Sequence, residues 1–106
     1  MELQIARYVS TALDSKYDIE SSVSVGAFLR SRLEGTKYNP PRGEACYLAL
    51  LHNDIQKHYQ GVDTYGFTEA WQLSKLLTGN RHNFYEVCLV ALFLGIQPEE
   101  LSEMTL

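Results

Sequence analysis

The first residues that could do chemistry are Cys46, His52 and His58, one thiol and two imidazoles at equal six-residue steps. Thiolate and imidazole are the ligand types that hold zinc. On a helix, however, six residues turn the side chain through about 600°, so the three diverge rather than meet on one ion. No metal site is expected. Neither Cys46 nor Cys88 lies at a helix start or within a basic cluster that would favour a nucleophilic thiolate. The chain has no G-x-S-x-G turn and no glycine loop for a phosphate. Glu99 and Glu100 are adjacent at a helix start, where the helix dipole and water account for them. The expectation is a chain that is not an enzyme and uses no cofactor.

Recognition chemistry remains. The chain is acidic, with a net charge of −4 from 9 Lys and Arg against 13 Asp and Glu. That weighs against a phosphate-rich partner. Yet residues 70 to 85 hold Lys75, Arg81 and His82 and no acid, a local basic segment. Helical spacing turns Thr68, Gln72 and Lys75 outward, opposite Leu73, Leu76 and Leu77. There are 7 tyrosines. Of these, Tyr59 and Tyr65 flank a glycine loop with Trp71 close by, and such amphipathic rings suit a protein interface.

From Trp71 onward the sequence reads WQLSKLLTGNRHNFYEVCLVALFLGIQPEELSEM. This resembles the second half of the helix-turn-helix domain in the Cro and repressor (Xre-like) family. Leu73, Ser74 and Gly79 stand where that family ends its recognition helix. Asn80, Arg81 and His82 take the polar loop, Ala91, Leu94 and Gly95 the next helix, and Glu99, Glu100 and Leu101 the last. The resemblance covers about residues 71–104. It implies a double-stranded DNA partner read by a homodimer, with Thr68, Gln72, Lys75, Asn80, Arg81 and His82 as contacts. In such domains Gln pairs with adenine and Lys with guanine or phosphate.

The elements that would carry these residues are helices. Ile5, Val9, Ala12 and Leu13 repeat at helical steps within 3–16, and Val25, Phe28, Leu29 and Leu33 within 24–34. Gly35 and the pair Pro40–Pro41 then break the chain. Leu48, Leu51, Ile55 and Tyr59 mark a helix over 44–59. Thr68 caps one over 68–78, which Gly79 ends, and Asn83 with Glu86 forms a capping box for one over 84–94. Pro98 opens a last helix over 98–104. The fold class is therefore all-α, a compact bundle of five to six short helices, helix-turn-helix-like in its C-terminal half. It reads as a single domain over 1–106, divided into an N-terminal helical pair (1–43) and a bundle (44–106). Leu48, Leu51, Ile55, Leu73, Leu77, Val87, Leu89 or Val90, Ala91 and Leu94 are expected at its centre.

The longest apolar run, Val87 to Leu94, falls well short of the roughly 18 residues a membrane span needs. The start, MELQIARY, has an acid at position 2 and no hydrophobic stretch, so no secretory signal is expected. Two isolated cysteines fit free thiols in a reducing compartment, hence a cytoplasmic location. Two functions stand: a small sequence-specific DNA-binding transcriptional regulator, or a non-enzymatic protein-interaction module. The second would be an antitoxin, an anti-repressor or another phage or mobile-element inhibitor, using the same bundle without DNA contact.

Overall fold

A computed structural model describes residues 1–14, 22–38, 44–81 and 83–105, with side chains over 1–14, 25–38, 48–81 and 83–101. Five α-helices follow one another: α1 Glu2–Asp14, α2 Ser22–Leu33, α3 Glu44–His58, α4 Ala70–Leu77 and α5 Phe84–Phe93. A 3-10 helix, Pro98–Thr105, closes the order. No strand occurs among the described residues. The architecture is an all-α bundle. No helix among them is long and apolar enough to cross a membrane. The Pro40–Pro41 break lies outside the described residues.

The apolar stripes of these helices meet in one buried cluster. α1 packs on α5 and the 3-10 helix, α2 on α4 and the 3-10 helix, and α3 on α4 and α5. The centre is α5, where Glu86 through Ala91 are all buried, as a helix apolar nearly all round must be. Leu51, Ile55, Leu73, Leu77, Val87, Leu89, Val90 and Ala91 are in this core, whereas Leu48 and Leu94 only border it.

On α1 the buried face is Ile5, Tyr8 and Ala12. The expected face included Val9 and Leu13, but Val9 is half-buried and Leu13 is 61% exposed. Tyr8 causes the rotation. Its ring enters the core and its hydroxyl donates to the Ile96 carbonyl at 2.8 Å, so the aromatic fills space while its polar tip is satisfied. Burial pushes the Tyr8 hydroxyl well above its ordinary pKa.

α2 approaches α4 at Gly26. A Cβ there would lie 2.7 Å from the Leu77 carbonyl, 2.8 Å from the Gly79 nitrogen and 3.0 Å from the Leu76 carbonyl. Only glycine lets the two backbones come so close. The end of α4 is built for this contact. Gly79 takes φ 78°, the Gly79 N–H donates to the Leu76 carbonyl at 3.3 Å, and the Asn80 N–H donates to the Lys75 carbonyl at 2.9 Å. These two bonds satisfy carbonyls that a helix end otherwise leaves open.

Candidate recognition surface

α4 and the segment before it present most of the residues that the sequence singles out. α3 ends at His58 and α4 begins at Ala70, so eleven residues, 59 to 69, connect them. A helix-turn-helix motif joins its two helices by about 3–4 residues. The connection here is longer, and it is fastened. Phe67 is buried in the core. Gln56 Nε2 donates to the Phe67 carbonyl at 3.3 Å, and His52 Nε2 donates to the Thr68 carbonyl at 3.0 Å. Asp63 Oδ1 accepts from the Tyr65 N–H at 2.8 Å, which holds Tyr65 at φ 50°. That is a left-handed position rarely occupied by a residue with a bulky side chain.

Gln72 corrects the sequence reading. It is 7% exposed and does not point outward as the spacing predicts. Its Oε1 accepts from the Thr68 and Glu69 N–H groups at 2.9 and 2.8 Å, and its Nε2 donates to the Gly66 carbonyl at 2.9 Å. The connection folds back over the first turn of α4, and Gln72 supplies the polar partners that the turned backbone needs. The N-cap is accordingly Glu69, not Thr68, whose exposed side chain plays no part in the cap.

Lys75 does lie outward and exposed, with its Nζ 5.7 Å from the centre of the Trp71 ring. Arg81 also lies over that ring, its Cζ at 5.4 Å from the centre. Arg81 is also committed elsewhere. Nε and Nη2 donate to Glu86 Oε1 and Oε2 at 2.8 and 2.7 Å, a two-point pair in which the Glu86 side chain is only 5% exposed. The hydrogen bond to Glu86 raises the Arg81 pKa further above its already high value. Asn83 caps α5 by accepting the Glu86 N–H at 3.1 Å, but the Glu86 carboxylate turns to Arg81, so the expected capping box is only half made. Asn80 is exposed, its Nδ2 donating to Thr78 Oγ1 at 3.1 Å. His82 lies outside the described residues.

Of the three aromatic candidates, Tyr59 is not a surface residue. It is 2% exposed, and its hydroxyl donates to the Leu89 carbonyl, which anchors the end of α3 to α5. Tyr65 and Trp71 are 75% and 52% exposed. Tyr65 packs edge-on against Tyr85, centroids 5.0 Å apart. Sequence spacing gave no hint of Glu86, Asp63 and Tyr85 as neighbours of these residues. The Arg81–Glu86 separation of five fits no single-helix pairing rule, because a cap lies between them.

Among the described residues no three His, Cys, Asp or Glu side chains gather where a metal ion could sit. The His58 ring meets Tyr59 and Phe93 edge-on at 4.8 and 5.3 Å, away from the direction His52 takes. The Cys46 side chain lies outside the described residues. Cys88 is a buried free thiol whose pKa burial pushes up to about 12, which disfavours the reactive thiolate. The outer side of α4 and the 59–69 connection thus offers two exposed rings, one exposed cation and one paired cation. Comparison with family models, with curated proteins and with solved structures finds no match to the chain.

Proposed function

We propose that this chain is a non-enzymatic protein-interaction module whose contact surface centres on Trp71 and Tyr65. The observation that carries the reading is the exposure of both rings on a fastened scaffold. Trp71 is 52% exposed with two cations near its ring, and Tyr65 is 75% exposed beside Tyr85. Tyr, Trp and Arg are the residue types that dominate binding energy at protein interfaces. A ring already held in place loses little freedom on binding. The net charge of −4 also suits a protein partner better than a polyanion. A regulatory inhibitor of the antitoxin or anti-repressor kind fits this chemistry.

The second reading, a dimeric DNA-binding regulator, is favoured by the exposed Lys75 on α4. It is weakened because Gln72 is used internally and Arg81 already holds a carboxylate.

The chain has one Trp, so its fluorescence reports directly on what lands on α4. Duplex DNA of mixed sequence is titrated at about 50 and 200 mM salt, the range over which phosphate contacts lose affinity steeply. Peptides selected from a display library against the whole chain are titrated in parallel. The interaction reading expects no saturable DNA signal at either salt, and peptides whose binding Trp71→Ala or Tyr65→Ala weakens at least tenfold. Saturable DNA binding that falls steeply with salt and is lost with Lys75→Ala overturns it.

A further inference from the structure

Beside Tyr65 lies a groove with no described α4 residue in its walls. It has a volume of about 350 Å³ between the start of α1 and the 59–69 connection, within the range that holds a small ligand or one large side chain. Its walls carry two kinds of group. Glu2 from α1 and Asp63 from the connection supply carboxylates, and among the described residues no Lys or Arg lines it. Tyr65 and Tyr85 supply two rings set edge to face at 82°, with Val62 and Ala6 filling the remainder.

The arrangement is held from several sides. The Asp63 side chain accepts the Tyr65 N–H, fixing the ring through a left-handed backbone position. The Tyr85 hydroxyl lies 3.5 Å from the Asp63 carbonyl. A non-glycine residue in that conformation persists only where its surroundings over-determine it. Burial, then the neighbouring Tyr65 and Asp63 and more weakly Glu2, raises the Tyr85 pKa. The groove therefore disfavours added negative charge. The part due to the Asp63 and Glu2 carboxylates favours a cation, whereas burial opposes a charge of either sign.

The geometry points to this groove as a receptor for an arginine side chain of a partner protein. It rests on the interaction reading and deepens it. A planar guanidinium stacks on an aromatic face and offers a fork of donors that matches a carboxylate, and both partners are in the walls. A lysine head would satisfy the charge but not the stacking or the fork.

The test uses the full chain and three short peptides, Gly-Gly-X-Gly-Gly, with X arginine, lysine or citrulline, the last being the neutral isostere of arginine. Binding is followed by the proton signals of the Tyr65 and Tyr85 rings. Saturable shifts are expected with the arginine peptide, at least threefold weaker with lysine and at least tenfold weaker with citrulline. Glu2→Gln and Asp63→Asn should each weaken the arginine peptide at least threefold without moving the thermal midpoint, since Asn can still accept the Tyr65 N–H. Equal binding of citrulline, or indifference to both charge removals, overturns the proposal. Equal binding of lysine overturns the assignment to arginine. Selected peptides that need Trp71 but ignore Glu2 and Asp63 sink the groove and leave the interaction reading standing. Arginine binding in the groove beside a salt-dependent DNA complex at Lys75 does the reverse.

Discussion

Arg81 and Glu86 meet in a two-point ion pair across the N-cap of α5, with both N–H···O distances under 3 Å, at 2.8 and 2.7 Å. The carboxylate is 5% exposed and the guanidinium 31%, so the acid depends on the base more than the base on the acid. Removing the base leaves a buried charge without a partner, which costs more than the pair contributes. Arg81→Ala is expected to destabilise the fold by about 2 kcal/mol. The double change Arg81→Met with Glu86→Leu should recover most of that loss. Urea unfolding of the single and double variants measures it, and additive losses would contradict the pairing.

Gln72 and Lys75 sit one turn apart on α4 and should behave as opposites. Gln72→Ala removes three hydrogen bonds and strands backbone groups of the connection, a loss of about 2 kcal/mol. Lys75→Ala on the exposed face should change stability by less than about 0.5 kcal/mol. Chemical denaturation of both variants decides. Equal effects would mean that Gln72 faces water.

Gly26→Ala looks favourable on helix propensity alone, by about 1 kcal/mol. The new methyl, however, meets backbone atoms of α4 at 2.7 to 3.0 Å, and backbone cannot swing aside as a side chain can. A net loss of about 1–3 kcal/mol is expected, as for overpacking elsewhere. A raised urea midpoint for this variant would show that α2 and α4 are not in such close contact.

Asp54 sets an acid limit on stability. Its carboxylate accepts the Tyr38 hydroxyl at 2.6 Å and pairs with Lys37 at 3.0 Å. The Tyr38 bond first and the Lys37 bond second hold its pKa below the usual carboxylate value. A depressed folded pKa gives stability that is fully present above the unfolded value, about 3.9. It is lost as pH falls through the folded one. Urea midpoints should therefore be level with respect to this residue near neutrality and fall below about pH 4. Asp54→Asn should flatten that part of the fall. An unchanged acid limb in the variant would assign it to other carboxylates, Glu100 beside Arg32 among them.

Helix ends were legible in the sequence because their signals are local. Gly79 and Asn83 act through their own backbone and the next few residues, and the structure ends α4 and caps α5 where they stand. The apolar steps of α2 to α5 were legible for the same reason. Gln72, Tyr59 and Arg81 were not, since each is defined by a group outside its own helix. A glutamine is turned inward only if a loop brings unpaired backbone to it, and Gly66 is six residues away. A tyrosine at a helix end is core or surface depending on whether a distant carbonyl takes its hydroxyl, here Leu89. Gly26 shows no periodicity at all. Its role appears only when α4 lies against it.

The hydrogen bond from Tyr8 to the Ile96 carbonyl spans 88 positions of the chain, and it has a kinetic meaning. At about 5–20 residues per second, a ribosome adds the second partner roughly 4 to 18 seconds after the first. Until then α1 has no α5 or 3-10 helix to lie on, and Ile5 and Tyr8 face water. Contacts of such long sequence separation also slow folding once the chain is free, because loop closure is paid in entropy before packing returns it. α2 and α3 each pack on α4 and can do so as they are made, whereas α1 must wait for α5 and the 3-10 helix. That closure comes late, and the newborn chain must stay unaggregated through the interval with the apolar stripe of α1 uncovered.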